Sequence, residues 1–242
     1  MENINISLKE MKINHPNKRA INWLIYEIND RYLEKYSQYF KGKLVDLGCG
    51  EAIYKEYFLH FCDKYIGVDW GNSYHNTSID IESDLNKRIG LPKNYADTLV
   101  SLSVMEHLYN PEKFLKECYR ILKPDGYFII QVPWQWWIHE QPFDFYRYSP
   151  FGLQYMLEKA GFNIIELSAS SGVFTTLTMK FNYFTERIVL RSKYKKILNF
   201  IFRPFWFINQ KLAPILDGKF DKEWLLETTG YWIVAQKVIN ND

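Results

Sequence analysis

A chain of 242 residues with 47% apolar and 18% aromatic residues has material for a large core, enough for one α/β domain with an insertion or for two small domains. A formal net charge of +2 supplies no overall argument for nucleic acid, and the three cysteines, Cys49, Cys62 and Cys118, follow neither disulfide nor metal-ligand spacing. They read as reduced thiols, and the opening residues are polar without a following apolar run, so a cytoplasmic protein is expected. Nothing approaches the roughly 18 consecutive apolar residues that a spanning helix needs.

Residues 1–15 carry no periodic pattern and read as loosely ordered. From 17 to 40, Ile21, Leu24, Ile25, Ile28, Tyr32 and Tyr36 recur at helical spacing and predict an amphipathic helix, stopped by Gly42. Residues 1–41 thus read as a helical cover. A first strand is expected at Leu44–Leu47. It runs into a turn, Gly48-Cys49-Gly50-Glu51-Ala52, and a helix beginning near Ile53. A second strand, Tyr65–Val68, ends in Asp69 and Trp70. A polar loop, Gly71–Asn76, and a short strand near Ser78–Ile81 follow. Strand four is expected over Tyr95–Val104. The next helix starts at Asn110-Pro111, an N-cap with proline in the first turn, and stops at Lys123-Pro124-Asp125-Gly126. Strand five is Tyr127–Val132. Ser149-Pro150 opens a helix that reaches Lys159, and Phe162–Leu167 makes strand six. The last strand is Tyr231–Val238, joining antiparallel at the sheet edge.

Two features carry the function. The glycines at 48 and 50 let the backbone bend tightly and let a ligand approach without meeting a Cβ, and helical N–H groups are expected to point at the same place. Asp69, about twenty residues on and at a strand end, suits a ribose diol, so a nucleoside-containing ligand is implied. A dinucleotide fingerprint requires a third glycine where Ile53 stands. Asp46, inside the strand, suits a cationic or amine-bearing ligand better than a pyrophosphate.

The run Asp46-x-Gly48-x-Gly50 resembles the first motif of class I S-adenosylmethionine-dependent methyltransferases. The stretch from Asp97 to Gly126, with its Glu-His-Leu and Arg-Ile-Leu-Lys-Pro-Asp-Gly segments, resembles their type 11 domain. That resemblance implies a Rossmann-like sheet of seven mostly parallel strands, the last antiparallel, with helices on both faces. The cofactor-binding core would occupy 42–172, a helical insertion 173–229, and the last strand and tail 230–242. It implies S-adenosyl-L-methionine as cofactor, held by Asp46, Gly48, Cys49, Gly50, Asp69, Trp70, Asp84, Leu85 and Ser103. Asp84 takes the adenine amino group, with Asp80 as the alternative, and Trp70 either lies against the adenine or packs in the core. Some relatives bind a divalent metal through Glu-x-x-Glu-His plus a later histidine. In this chain the first acid is Ser103, so no metal is assigned, although Glu106, His107 and His139 remain as weak candidates.

The segment Pro133–Tyr148 follows strand five, where substrates of open α/β sheets bind, and is dense in aromatics. It resembles the His-Glu-x-Pro-x-Asp-Tyr-Tyr-Arg-Tyr-Thr loop of a bacterial methyltransferase group. Trp134, Trp136, Trp137, Tyr146 and Arg147 are the candidate substrate-binding residues. The alternative for Asp144 and Arg147 is an internal ion pair. His139 is the candidate general base, with Glu140 second. The expected activity is methylation of a small-molecule or sugar-containing (glycan-type) acceptor at oxygen or nitrogen. The competing readings are an inactive cofactor-binding module acting through a partner, and an NAD-dependent dehydrogenase.

Residues 180–211 hold eight basic residues and one acid, a local charge of +7 that leaves −5 on the remainder. Phenylalanines and Trp206 are interleaved, and Pro204 is expected to break any helix there. A basic, aromatic-rich stretch of this kind is expected to form a lid or dimer contact, the alternatives being a peripheral membrane surface or a site for a phosphorylated substrate. Its confinement to one insertion argues against nucleic acid. The assembly is expected to be a monomer or a homodimer.

Overall fold

In the computed structural model, the described residues are 7–238 apart from 12, 14, 72–78 and 221–226. Most of the polar loop expected at 71–76 and the start of the expected third strand therefore lie outside them.

The apolar runs read above form a seven-stranded sheet: β1 (Lys43–Leu47), β2 (Lys64–Asp69), β3 (Ile81–Glu82), β4 (Ala96–Leu102), β5 (Leu122–Pro133), β6 (Phe162–Ala169) and β7 (Gly230–Lys237). Their spatial order is β3-β2-β1-β4-β5-β7-β6. The pairs from β3 to β5 are parallel, whereas β7 runs antiparallel to both β5 and β6. The expectation that the last strand lies at the sheet edge is corrected by this order. β7 is buried along nearly its whole length, and β6, with its partly exposed Glu166, takes the edge instead. A strand apolar on both faces needs cover on both sides, which an edge does not give.

Helices close both faces. On one, α3 (Pro111–Ile121) and α4 (Pro150–Lys159) turn Phe114, Leu115, Cys118, Ile121, Leu153 and Leu157 onto the sheet. Asn110 caps α3 by accepting the Lys113 N–H, and Ser149 caps α4 by accepting the Gly152 N–H. On the other face, α1 (Trp23–Tyr36) and the single-turn α2 (Lys55–Phe58) contribute Leu33, Tyr36, Tyr57 and Phe58. α1 is shorter than the expected 17–40. Its N-terminal half packs Leu24 and Ile28 on Met179 of the insertion. Two residues of the stretch expected to be loosely ordered are tied down: Leu8 is buried and its N–H bonds Glu34, and His15 lies 3.1 Å from Asp30.

The insertion is a helical hairpin, α5 (Val173–Arg191) and α6 (Lys195–Phe220). Pro204 does not break it, and Pro214 also lies within α6. Packing of the fully buried Trp206 against Val189 and Ile21 holds the chain helical across the missing donor. Near the end of α6, buried Asp217 reaches back to accept the N–H groups of Gly172, Phe174 and Thr175, at the start of α5. Those donors have no partner within their own helix. Asp217→Ala should therefore cost about 1–3 kcal/mol locally and visibly accelerate hydrogen exchange of the amides at 172, 174 and 175.

Candidate functional site

The ends of β1, β2 and β4 converge on the glycine turn. Gly48 (φ +81°) and Gly50 (φ +52°) both occupy the left-handed region. A Cβ on Gly48 would stand 2.3 Å from Val104, so that side chain fills the space glycine leaves, whereas a Cβ on Gly50 would meet open space. The N–H groups of Gly48 and Cys49 donate to the Val68 carbonyl, at 2.7 and 3.2 Å. The Gly50 N–H donates to the Asp69 carboxylate at 2.7 Å, and the Trp70 N–H donates to its other oxygen at 2.7 Å. Asp69 is thus fixed at the cleft with lone pairs left for hydroxyl donors, the fit that a ribose diol requires. The turn spends its own N–H groups inside the protein, and α2 is one turn long. The helix expected to begin near Ile53 thus starts at Lys55, and the bonded N–H groups of Gly48, Cys49, Gly50 and Ala52 are not available to a pyrophosphate.

A cavity of about 420 Å³ opens on this turn. Of the sequence-predicted residues, its wall includes Gly48, Cys49, Gly50, Asp69, Trp70, Asp84, Leu85, Ser103, His107 and Glu140. Trp70 is half-buried, its ring edge-on to Phe143 at 5.3 Å. Burial works against the charge of Asp84, but hydrogen bonds from Asn86 and Lys87 outweigh it and hold its pKa below the usual carboxylate value. Asp80 instead accepts the Gly67 N–H, back along β2. Sequence reasoning overlooked Tyr26, Tyr109, Phe143 and Phe145, which also line the cavity. The last two belong to a loop whose aromatic density was the available signal; nothing distinguishes Tyr26 from the other tyrosines of its helix.

Asp46 does not line this cavity. It is buried behind the turn and accepts the Tyr65 hydroxyl at 2.8 Å. Burial, partly offset by that hydrogen bond and reinforced by Asp69, pushes its pKa up to about 7.

A second cavity, of about 200 Å³, adjoins the first and shares Ser103 and Tyr26 with it. Glu106, Gln131, Trp136, His139 and Tyr183 are among its walls. At the seam Glu106, His107 and His139 bring their ligand atoms within 4.8 Å of one another. Glu106 is fully buried, and among the described residues neither carboxylate oxygen meets a hydrogen-bond donor. Nε2 of His107 stands 3.7 Å and Nε2 of His139 4.0 Å from the Glu106 Oε1. His107 Nδ1 lies 2.9 Å from the Phe143 carbonyl, and His139 Nδ1 lies 3.3 Å from both the Trp137 carbonyl and Asp144. Those acceptors place the proton on Nδ1 in each neutral ring, which turns both Nε2 lone pairs toward the carboxylate. Burial raises the Glu106 pKa to about 8, while burial and the neighbouring His107 lower that of His139.

The loop after β5 folds back on itself. Arg147 grips Asp144 through both guanidinium nitrogens, the ion-pair alternative weighed above, and also donates to the Trp137 carbonyl. Burial opposes the Asp144 charge, yet Arg147 and the His139 N–H hold its pKa down at about 2. Trp136 and Trp137 stack at 4.0 Å and pack on Tyr183 of α5, while Trp134 lies against Tyr231. Tyr146 is exposed. Of the five candidate substrate-binding residues, Trp136 alone lines either cavity.

The sheet order and the turn at its carboxyl edge define the Rossmann-like fold of class I S-adenosylmethionine-dependent methyltransferases. Residues 45–130 match the family model described as a methyltransferase domain. A probable S-adenosylmethionine-dependent methyltransferase from Mycolicibacterium smegmatis is 27% identical over 96 residues, 37% of each chain. A ubiquinone biosynthesis O-methyltransferase from Maricaulis maris is 30% identical over 102 residues, 37% of this chain and 40% of its own length. The matched segments thus span well under half of these curated relatives. Among solved structures, an S-adenosylmethionine-dependent methyltransferase from Archaeoglobus fulgidus superposes with a TM-score of 0.55 at 19% identity, covering 87% of this chain and 94% of that one. The [4+2]-cyclase SpnF superposes with a TM-score of 0.57 at 15% identity, covering 86% and 80%. The chain therefore has the class I methyltransferase fold, and its residues 45–130 match a methyltransferase domain.

The buried Asp46 makes a prediction for stability. A folded-state pKa near 7, above the unfolded value of 3.8, contributes stability that is complete below 3.8 and is lost as the pH rises through 7. Relative to the parent, Asp46→Asn should gain about 2–3 kcal/mol between pH 5 and pH 8, read as a melting-temperature difference that widens with pH.

Proposed function

We propose that the protein transfers the sulfonium methyl group of S-adenosylmethionine to an oxygen or nitrogen atom of a small-molecule or sugar-containing acceptor. One observation carries this reading: two cavities meet at Ser103 with a carboxylate and two imidazoles at their seam. The larger cavity suits the cofactor, with Asp69 on the ribose diol and Trp70, Asp84 and Leu85 around the adenine. The smaller one, walled by Trp136 and Tyr183, suits the acceptor, since aromatic faces stack on sugars and other flat apolar surfaces.

The cofactor supplies an already activated methyl group, so the protein's part is alignment, exclusion of water and removal of a proton from a hydroxyl acceptor. His139 is the group to which we assign the last task. Its lowered pKa leaves Nε2 unprotonated at neutral pH, and Asp144 at Nδ1 fixes the ring. Glu140, on the wall of the larger cavity and 3.8 Å from His107, is the second candidate. For an acceptor amine that is already neutral, these groups bind and orient only. A second reading follows from the unpartnered Glu106 carboxylate: with the two Nε2 atoms it has the donor set for a divalent cation, and His139 would then be a ligand.

Asp69→Ala should weaken S-adenosylmethionine binding at least roughly ten-fold in calorimetry, the loss of a charged hydrogen-bond acceptor for two hydroxyls; unchanged affinity would remove the ribose assignment. With an oxygen acceptor, kcat should fall on the acid side with a midpoint below 6.5, because protonation disables the base. His139→Ala should abolish that limb and lower kcat about 100-fold or more. A rate lost to EDTA and restored by Mn²⁺ would instead favour the cation.

A further inference from the structure

The α5–α6 hairpin buries polar groups beside Met179, Val189 and Trp206 and leaves a large apolar face outside. Its inner positions include Thr176, Asn182 and Thr185 on α5 and Gln210 on α6, all buried. They are joined by hydrogen bonds: Asn209 donates to Asn182 at 2.6 Å, the Trp206 indole to Thr185 at 2.9 Å, and Gln210 to the Ala20 carbonyl at 2.8 Å. Its outer positions are apolar. Leu177, Phe181, Phe184 and Ile188 form a stripe at helical spacing along α5, each 46–63% exposed. Ile201, Phe205, Ile208, Leu212 and Ile215 form its counterpart on α6, 48–65% exposed. The rings of Phe181 and Phe205, 5.7 Å apart, merge the two stripes into one face. In water such a surface is left uncovered, and singly scattered apolar residues do not account for a continuous one.

The charge around this face identifies what covers it. Arg187, Arg191, Lys193, Lys195 and Lys196 are exposed around the connection between the helices, with Arg203 and Lys211 along α6. Glu186, the lone acid of the stretch 180–211, is paired with Arg19 at 2.8 Å. A second copy of the chain would bring +7 against +7, whereas anionic lipid headgroups complement the charge while acyl chains take the phenylalanines and isoleucines. Among the described residues no helix is long and apolar enough to cross a membrane, so the hairpin would lie in the plane of the interface. We propose that the outer face of α5–α6 docks the protein on an anionic bilayer surface. α5 also supplies Tyr183 to the smaller cavity, which docking would bring close to the headgroups. The proposal does not depend on the identity of the acceptor.

The test is co-sedimentation of the whole protein with vesicles of phosphatidylcholine, alone or mixed with phosphatidylglycerol. The expected result is binding only when phosphatidylglycerol is present, weakened by salt. The double change Lys195→Glu with Lys196→Glu should lower the partition coefficient roughly ten-fold or more. Phe184→Ser with Ile188→Ser, also on the outer face, should lower it comparably, with calorimetric affinity for S-adenosylmethionine unchanged in both variants. Three results would overturn the idea: no sedimentation with anionic vesicles, sedimentation indifferent to both pairs of changes, or a dimer in ultracentrifugation that Phe184→Ser with Ile188→Ser dissociates.

Discussion

The site depends on one hydrogen bond between two strand ends. Asp69, closing β2, accepts the Gly50 N–H and so clamps the turn that closes β1. The contact exists because β1 and β2 run parallel in a register that pairs Leu47 with Val68, leaving the next residues of both strands to meet beyond the sheet. Val104, just past β4, plugs the gap where Gly48 has no side chain. Three adjacent strands are thereby locked to one another at the edge where the larger cavity opens, and the Asp69 carboxylate is held in place by the protein itself.

Much of this frame is readable from local pattern. The strands of the core, the Asn110-Pro111 and Ser149-Pro150 helix starts and the glycine turn follow from short-range chemistry, and the structure forms each of them. The features that escape are those decided by partners distant in sequence. Leu8 is buried by contacts with α1 and the sheet, which a polar N-terminal stretch does not announce. β7 enters between β5 and β6 because its two apolar faces both require cover, and an isolated apolar run does not say which neighbours it will take. Pro204 removes a donor, but the burial of Trp206 two residues later outweighs that local cost.

The site divides along the same line. Residues of the turn and of the ends of β2 and β4 gather at the larger cavity because the sheet itself places them there. The aromatic loop is different. Its composition marks it as more than a connector, yet Arg147 spends its charge on Asp144, and Trp137 packs against α5. Which ring faces a ligand and which is mortar between elements is settled by packing, and composition does not carry that information. The α5–α6 hairpin shows the converse. Its basic and aromatic content is plain in the sequence, but the placing of threonines and asparagines inward and phenylalanines outward appears only once the two helices are paired.

The stack of Trp136 and Trp137 against Tyr183 joins the loop after β5 to a hairpin inserted between β6 and β7. Among the described residues, all that line the larger cavity precede the hairpin, whereas the smaller cavity borrows Tyr183 from it. The two chambers consequently share Tyr26 and Ser103 and differ in the wall that the hairpin lends to one of them. An exchange of the hairpin for another of similar length would replace a wall of one chamber and no lining residue of the other, so a lineage could vary the smaller chamber on its own.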